Sequence, residues 1–324
     1  MPDTTHTTIT VTVPARLHLG FLDLNGSLGR RFGSIGLAVD GLRTRLRFHC
    51  AAATCVTGPE RERVRGHIER MAGRLAAEGG RTAPVAVEVI ETVPAHAGLG
   101  SGTQLALAVA AGLRRLAGLP LDIHGDALHL GRGGRSGAGM GLFHTGGLVV
   151  DGGSAGHDVA APVVARMAFP ARWRVVLLID PARCGVHGAA EVQAFKELPM
   201  FSEAEAGRLC RLVIMKLLPA VAEEDIASFG AAVTDIQSAV GSYFAPAQGG
   251  SAFTSPDVEA VLKDLGRAGA TGIGQSSWGP TGFAFAPDED DAGRLAALAR
   301  SHPRGRGLDV RVCAGLNRAA EIAG

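Results

Sequence analysis

Long apolar runs are missing from this chain. No stretch of about 18 uncharged apolar residues, the length a membrane helix needs, occurs in its 324 residues, and the best candidate, near Val213, is interrupted by Lys216. No membrane partner is expected. Net charge is missing too: 32 basic side chains against 31 acidic ones leave no global field to gather nucleic acid or an anionic surface. The five cysteines, Cys50, Cys55, Cys184, Cys210 and Cys313, are odd in number and contain no C-x-x-C, which suits free thiols in a reducing cytosol. Met1 to Thr8 is polar, without the apolar core of a secretory signal. A soluble cytoplasmic protein is the expectation. There is no Walker loop, no G-x-G-x-x-G and no H-E-x-x-H, so zinc is not expected and neither is an organic cofactor.

Glycine is what the chain has in quantity, 46 residues clustered at points of punctuation. The stretch that organises the rest is Pro94-Ala-His-Ala-Gly-Leu-Gly-Ser-Gly-Thr-Gln104, where Gly98, Gly100 and Gly102 alternate and lead into a helical pattern from Leu105 to Ala117. Leu105, Ala108, Val109, Gly112, Leu113 and Leu116 share one apolar face, and Gly118-Leu-Pro120 is a stop. A glycine loop that empties into a helix start collects unpaired N–H donors and the positive end of the helix dipole, a setting for phosphate. A tight loop before a core helix would read the same way.

In chain order, Ile9 to Val13 alternates as a strand, and Ala15-Arg-Leu-His-Leu-Gly20 continues with polar residues between apolar ones. After the polar loop Gly29 to Ser34, strands are expected at Ile35 to Val39 and Arg43 to His49. A helix follows at Pro59 to Glu78, then a strand at Val85 to Val89 that delivers the glycine loop. Asp122 is an N-cap candidate for a short helix to Leu130. Gly131 to Gly141 is a second glycine-rich loop, with Arg132 and Arg135, and a strand at Leu148 to Val150 follows. The pattern changes between Pro162 and Pro170. Beyond it come a strand at Trp173 to Ile179, a loop from Cys184 to Glu191, helices at Ser202 to Leu218, Glu223 to Val240 and Pro256 to Ala268, and a polar loop from Gly272 to Gly279. A strand at Gly282 to Ala286, a helix at Glu289 to Arg300 and a strand at Asp309 to Val312 close the chain. Strands followed by clusters of helices imply an α+β protein.

The Pro-x-x-x-Gly-Leu-Gly-Ser pattern of Pro94 to Ser101 resembles the second motif of the GHMP superfamily of small-molecule kinases. That resemblance implies a two-domain fold with the active site between the domains: an N-terminal GHMP-type domain over 1–165 and a ferredoxin-like C-terminal domain over 166–324. The departures matter. Where such kinases carry Ser-Gly-x-Asp, this chain has Ser136-Gly-Ala-Gly139, and Arg16 stands where a lysine is often found. An alcohol nucleophile would be poorly served. Ala15-Arg-Leu-His-Leu-Gly20 with Asp23-Leu-Asn-Gly26 resembles the narrower family of β-ribofuranosylaminobenzene 5′-phosphate synthases. So do Gly29-Arg30 with Gly33-Ser34-Ile-Gly-Leu-Ala38, Gly185-Val-His-Gly188 with Glu191 and Phe195, and Gln275-Ser-Ser-Trp-Gly-Pro-Thr281. The resemblance spans nearly the whole chain. It implies condensation of 4-aminobenzoate with phosphoribosyl pyrophosphate, releasing pyrophosphate and carbon dioxide, early in methanopterin biosynthesis. It also implies Mg²⁺ and a homodimer. The 4-hydroxybenzoate acceptor stays open beside the amino compound, since both are flat anions with an electron-donating substituent.

On that reading Arg16, His18 and Asp23 are the catalytic candidates, Asp23 also being the carboxylate for Mg²⁺ or a ribose hydroxyl. The residues expected to touch substrate are Arg30, Ser34, Gly98, Gly100, Ser101, Gly102, Thr103, Gln104, Arg135, His187, Gln275, Ser276, Ser277 and Trp278. Plainer readings exist for many: Arg16 and His18 also suit a strand's polar face, Asp23 with Asn25-Gly26 suits a turn, and Ser276, Ser277 and Trp278 suit a turn with packing. Two rivals remain, an ATP-dependent GHMP-family kinase and a non-catalytic module that kept the phosphate loop.

Overall fold

The computed structural model describes residues 8–156 and 159–324; most of the polar Met1 to Thr8 stretch lies outside them. The first half is built on strands β1 (Ile9–Asp23), β2 (Phe32–Cys50) and β3 (Cys55–Thr57), helix α1 (Arg61–Ala77) and strand β4 (Val85–Glu91). Helices α2 (Ser101–Ala117), α3 (Ile123–His129) and α4 (Ala138–Thr145) follow, then strands β5 (Leu148–Asp151) and β6 (Val163–Met167). The second half runs from β7 (Arg174–Ile179) through α5 (Gly188–Glu197), α6 (Glu203–Leu212), a π-helical turn at Val213–Leu217, α7 (Leu218–Ala222), α8 (Ile226–Phe244) and α9 (Pro256–Arg267). Strands β8 (Thr271–Gln275) and β9 (Gly282–Ala286), α10 (Glu289–Ser301), β10 (Asp309–Ala314) and β11 (Glu321–Ala323) complete it.

Two sheets carry the molecule. The first has the order β11-β1-β2-β4-β3, with β5 and β6 added beside the first part of β2. The second has the order β10-β7-β9-β8, all antiparallel. Numbered within that sheet the order is 4-1-3-2, the ferredoxin-like arrangement, with α9 and α10 on one face. The C-terminal strand β11 crosses back to pair with β1, Val11 opposite Ile322, so the last residues belong to the first sheet.

The alternating residues of β1 divide their apolar side chains between two cores. Ile9, Val11 and Val13 pack with Leu46, Phe48, α1 and α2; Ala15, Leu17, Leu19 and Phe21 pack with Val175, Leu177, Phe229 and Phe283 of the second half. A single core therefore runs through the junction of the halves. Irregularities in the β1–β2 ladder at Pro14/Ala15 and His18/Gly20 separate these segments and turn the side chains between them. Gly20 is needed where α8 crosses: its φ is 135°, and a β-carbon there would lie 2.5 Å from the Ile236 methyl.

Several expectations need correcting. The strands expected at Ile35 to Val39 and Arg43 to His49 are one long strand, β2. The polar loop expected from Gly272 to Gly279 is strand β8 through Gln275, because Gly274 lies flat against Gln237 of α8, where a β-carbon would meet that side chain at 2.3 Å. The second glycine-rich loop is already helix α4 from Ala138 onward; Gly139 and Gly141 sit in it because Thr103 and Val163 pack against their α-carbons. Among the described residues no helix is long and apolar enough to cross a membrane.

Helix α1 carries a buried titratable group. His67 is 2% exposed, and its Nδ1 accepts from the Arg70 guanidinium at 2.6 Å, leaving Nε2 without a partner. Burial, then the charges of Arg70, Arg132 and Arg63, push its pKa down to about 3. The unfolded chain takes up this proton near pH 6.5, the folded chain only near 3, so stability present above 6.5 is lost as the pH falls between those values. Thermal midpoints measured at about pH 8 and about pH 5 are expected to drop for the natural sequence and to drop less for His67→Gln. Parallel curves for the two proteins would refute this.

Candidate active site

The glycine loop and the first turn of α2 form the floor of a cleft of about 910 Å³. Gly98 and Gly100 both have left-handed φ values, 79° and 76°. The first backbone bonds of α2 run from the Thr103 and Gln104 N–H groups to the Gly100 carbonyl. Helix geometry leaves the N–H groups before them without intrahelical acceptors. The loop is stitched to both halves. Arg16 N–H donates to the Leu99 carbonyl at 3.0 Å, while Ser276 Oγ donates to the Gly98 carbonyl at 2.8 Å and accepts from His18 N–H at 3.0 Å.

Arginines close over this floor. Arg16 projects from β1 beside Gly100, its Nε and Nη1 shielded from solvent and without partners. Burial lowers its pKa to about 10, against the pull of Glu191 and Asp151, so it stays protonated at neutral pH. Arg132 and Arg63 meet over Gly102. Arg132 Nε is buried and unpartnered, while Arg63 Nη1 pairs with Glu60 at 2.7 Å. Burial and the charges of Arg63, Arg70 and Arg135 lower the Arg132 pKa. Arg31, Arg135 and Lys196 also line the cleft, six cations against one carboxylate, Glu191, among the described residues. A chain that is neutral overall has concentrated positive charge here, a setting for an anionic ligand.

Part of the wall is aromatic. Phe21, Phe32, Phe195 and Trp278 line the cleft, with Phe195 edge-on to Phe32 at 5.5 Å and to Trp278 at 5.5 Å. The Arg135 guanidinium lies 5.8 Å from the Phe195 ring centre and is paired with Glu191 at 2.7 Å. Burial raises the Glu191 pKa, and Arg135 and the Trp278 indole N–H hold it back, although that N–H makes no hydrogen bond of full geometry. His18 lines the cleft too, 2% exposed and 4.6 Å from the Phe21 ring. Burial, then Arg16, push its pKa well below 6.5, so it is a neutral imidazole. His187 stacks on His96 with ring centres 3.6 Å apart, and its Nδ1–H donates to the Gly185 carbonyl at 2.7 Å.

The structure brings Arg16, His18, Gly98, Gly100, Ser101, Gly102, Thr103, Arg135, His187, Ser277 and Trp278 to the cleft wall. Others stand behind it. Gln104 is fully buried with both amide atoms unpartnered. Ser34 donates to Asp151 and contacts Ser136 Oγ at 2.6 Å. Gln275 accepts from Thr254 and holds the 275–279 turn through Ser277, and Ser276 is the stitch between the glycine loop and β1. Two further candidates are tied up away from the cleft. Asp23 Oδ1 accepts from the N–H groups of Asn25 and Gly26, the turn that Asn-Gly sequences favour. Arg30 donates to the carbonyls of Gly152 and Gly153, and its neighbour Arg31 reaches the cleft instead. Arg30→Ala is therefore expected to change turnover by less than about threefold while costing about 1 kcal/mol of stability. A loss of turnover comparable to that of a cleft arginine would return Arg30 to the site.

Arg63, Asp151 and Gln237 belong to the site or its frame, and no sequence motif marks them. Asp151 is fully buried and accepts from Ser34 Oγ and from the N–H groups of Gly137, Ala138 and Gly153. Burial raises its pKa against those bonds. Gln237 of α8 donates to the Leu19 carbonyl and accepts from Gln275 N–H, fastening β8 to β1. Among the described residues no three His, Cys, Asp or Glu side chains converge as a metal site. With Glu191 held by Arg135 and Asp23 in its turn, the protein donors do not fit a resident Mg²⁺.

The chain is similar to known proteins over nearly its whole length. Residues 66–144 match the N-terminal domain of GHMP kinases and residues 217–303 their C-terminal domain. β-Ribofuranosylphenol 5′-phosphate synthase of Archaeoglobus fulgidus is 35% identical, covering 95% of this chain and 97% of its own. The protein of that name from Methanothermobacter thermautotrophicus is 32% identical over 96% of this chain and 97% of its own. This chain belongs to the β-ribofuranosylphenol 5′-phosphate synthase family. The chain has the two-domain GHMP fold. Homoserine kinase from Cytophaga hutchinsonii superposes with a TM-score of 0.67 at 16% identity, covering 100% of this chain and 99% of its own. Mevalonate pyrophosphate decarboxylase from Streptococcus pyogenes gives 0.68 at 16%, covering 96% and 97%. Membership of the synthase family makes this chain an enzyme of the pentosyltransferase kind, and the kinase alternative is the less supported. Gly139 agrees, since a β-carbon there would already lie 2.9 Å from the Thr103 methyl, leaving no place for a kinase's aspartate.

Proposed function

We propose that this synthase joins the phosphoribosyl group of phosphoribosyl pyrophosphate to the ring of a 4-substituted benzoate, releasing pyrophosphate and carbon dioxide. The observation that carries the reading is one cleft with a cationic, N–H-rich floor and an aromatic wall. The ring carbon bearing the carboxylate attacks the anomeric carbon of the ribose. The bond from that carbon to pyrophosphate breaks, and the pyrophosphate keeps the electron pair. The ring then loses its carboxylate as carbon dioxide, and the pair from that bond restores aromaticity. No carbon-bound proton is removed, which suits a cleft whose one carboxylate is tied to an arginine.

The residues divide this work by chemistry. Arg16 and the N–H groups at the start of α2 meet the charge that develops on the departing pyrophosphate. Phe21, Phe195 and Trp278 give the acceptor ring a flat apolar wall, and neutral His18 orients it against the sugar. Mg²⁺, were it to take part, would shield the charge of the pyrophosphate beside Arg16. The relatives' name specifies a phenol, which makes 4-hydroxybenzoate the preferred acceptor and 4-aminobenzoate the competitor. Homodimerisation stays part of the proposal, to be read by light scattering. The test is to mix the protein with phosphoribosyl pyrophosphate and each benzoate in turn, following pyrophosphate and carbon dioxide together. Equimolar release of both supports the reading. Release of neither, with ATP consumed when homoserine or mevalonate is offered, sinks it in favour of a kinase.

A further inference from the structure

We propose that the cleft holds two anions on separate arginines: Arg132 and Arg63, beside Gly102, take the 5′-phosphate that survives into the product, and Arg16, beside Gly100, takes the leaving pyrophosphate. This rests on the function proposed above and assigns its anions to places.

The first ground is geometry. Gly100 and Gly102 lie two residues apart on the loop, and each has its own guanidinium. A β-carbon at Gly100 would meet Arg16 Nε at 2.9 Å, and one at Gly102 would meet Arg132 Nη1 at 3.0 Å and Arg63 Nη2 at 3.3 Å. The glycines let both guanidinium groups close on the backbone, so an anion in either place can take side-chain and loop N–H donors together.

The second ground is charge. Arg16 has two carboxylates in its field, Glu191 and Asp151. Arg132 has three arginines, Arg63, Arg70 and Arg135, with Glu191 the carboxylate that opposes them. A place where arginines outnumber carboxylates favours a permanent dianion, as a phosphate monoester is. Arg16, whose charge is partly offset before substrate arrives, releases its anion more readily once the bond has broken.

The third ground is where the bond breaks. Arg16 shares β1 with His18 and Phe21, the side of the cleft where the aryl ring fits, so the anomeric carbon and its leaving group belong there. Two of the charged neighbours of Arg132, Arg63 and Arg70, stand instead on α1, which contributes nothing to the aromatic wall. The 5′-phosphate changes neither charge nor bonding in the reaction, so a group that holds it binds substrate, transition state and product alike.

The experiment compares pyrophosphate and ribose 5-phosphate as calorimetric ligands of the full chain and three variants. Arg132→Gln is expected to weaken ribose 5-phosphate about tenfold or more and pyrophosphate less than about threefold, the scale of a lost charge-assisted hydrogen bond. Arg63→Gln, on a partly exposed side chain, should act in the same direction and serves if Arg132→Gln does not fold. Arg16→Gln should show the reverse preference. In steady state the Arg132 and Arg63 variants should raise KM for the donor far more than they lower kcat, and the Arg16 variant should mainly lower kcat. The assignment is overturned if the Arg132 and Arg63 variants lose both ligands in equal measure, or lose pyrophosphate more. A natural-sequence protein that binds neither ligand would bring down the proposed function itself, and this assignment with it.

Discussion

Arg16→Ala is expected to lower turnover by about two powers of ten or more, the usual scale for removing one preorganised donor from developing negative charge, while leaving the fold intact. The side chain is placed for that task. It leaves β1 between two irregularities of the ladder, its Nε and Nη1 have neither solvent nor a partner, and it rests against Gly100. An unpaired, shielded guanidinium costs stability, so its removal is expected to leave the thermal midpoint level or slightly higher. Arg16→Lys should recover only part of the activity, because an ammonium lacks the planar fork that spans two oxygens. Turnover and thermal unfolding measured on the same preparation decide it. Turnover that survives the substitution, or that falls only as the folded fraction falls, would give Arg16 a structural role and leave the cleft without its leaving-group donor.

The parts of this site that can be read in the sequence are those where the backbone itself makes the site. A glycine loop running into an apolar helix needs no partner from elsewhere to declare itself, and Gly98 to Gln104 lies where that pattern puts it. Residues whose roles depend on long-range contacts are a different matter. Arg30 and Arg31 are adjacent and chemically identical, yet distant carbonyls sort them: Gly152 and Gly153 hold the first away from the cleft, while the second, bonded to the Leu24 carbonyl, lines it. Arg63 sits on a helix with ordinary amphipathic spacing, so nothing local marks it as a ligand. Asp151, followed by two glycines, has the local sequence of a turn residue and does accept from Gly153 N–H; the donors that build it into the frame, Ser34 and the start of α4, come from far along the chain. Gly272 to Gln275 carries glycines that discourage a strand, yet α8 needs those small residues to lie close against β8. The fold is legible where period and stops agree, as at α1, α2 and α10. The return of β11 to the first sheet is not, three residues being too few to carry a pattern.

Gly98→Ala is expected to remove about two powers of ten in turnover and to lower the thermal midpoint by several degrees. A β-carbon at Gly98 would lie 2.2 Å from the Ser276 carbonyl oxygen and 3.0 Å from that of Gly279, both backbone atoms, so no side-chain rotation relieves the clash. The left-handed φ of 79° adds roughly 1–2 kcal/mol for any residue with a β-carbon, and crowding a packed seam adds about 1–3 kcal/mol. What must move is the 275–279 turn. It cannot move alone, because Ser276 Oγ bonds the Gly98 carbonyl and the His18 N–H, and Gly185 packs against the Gly279 carbonyl. The loop, His18 and the start of the His187 segment would shift together, and a displacement of about 1 Å at a positioning group costs about 100-fold in rate. Gly29→Ala separates the two contributions: Gly29 has nearly the same φ, 81°, with nothing within 4 Å of the added carbon, and it is not on the cleft wall. That variant should show the small loss of stability and keep its turnover. If Gly98→Ala proves no worse than Gly29→Ala in both measurements, the seam between the glycine loop and the 275–279 turn does not hold the site in register, and the positioning role of Ser276 falls with it.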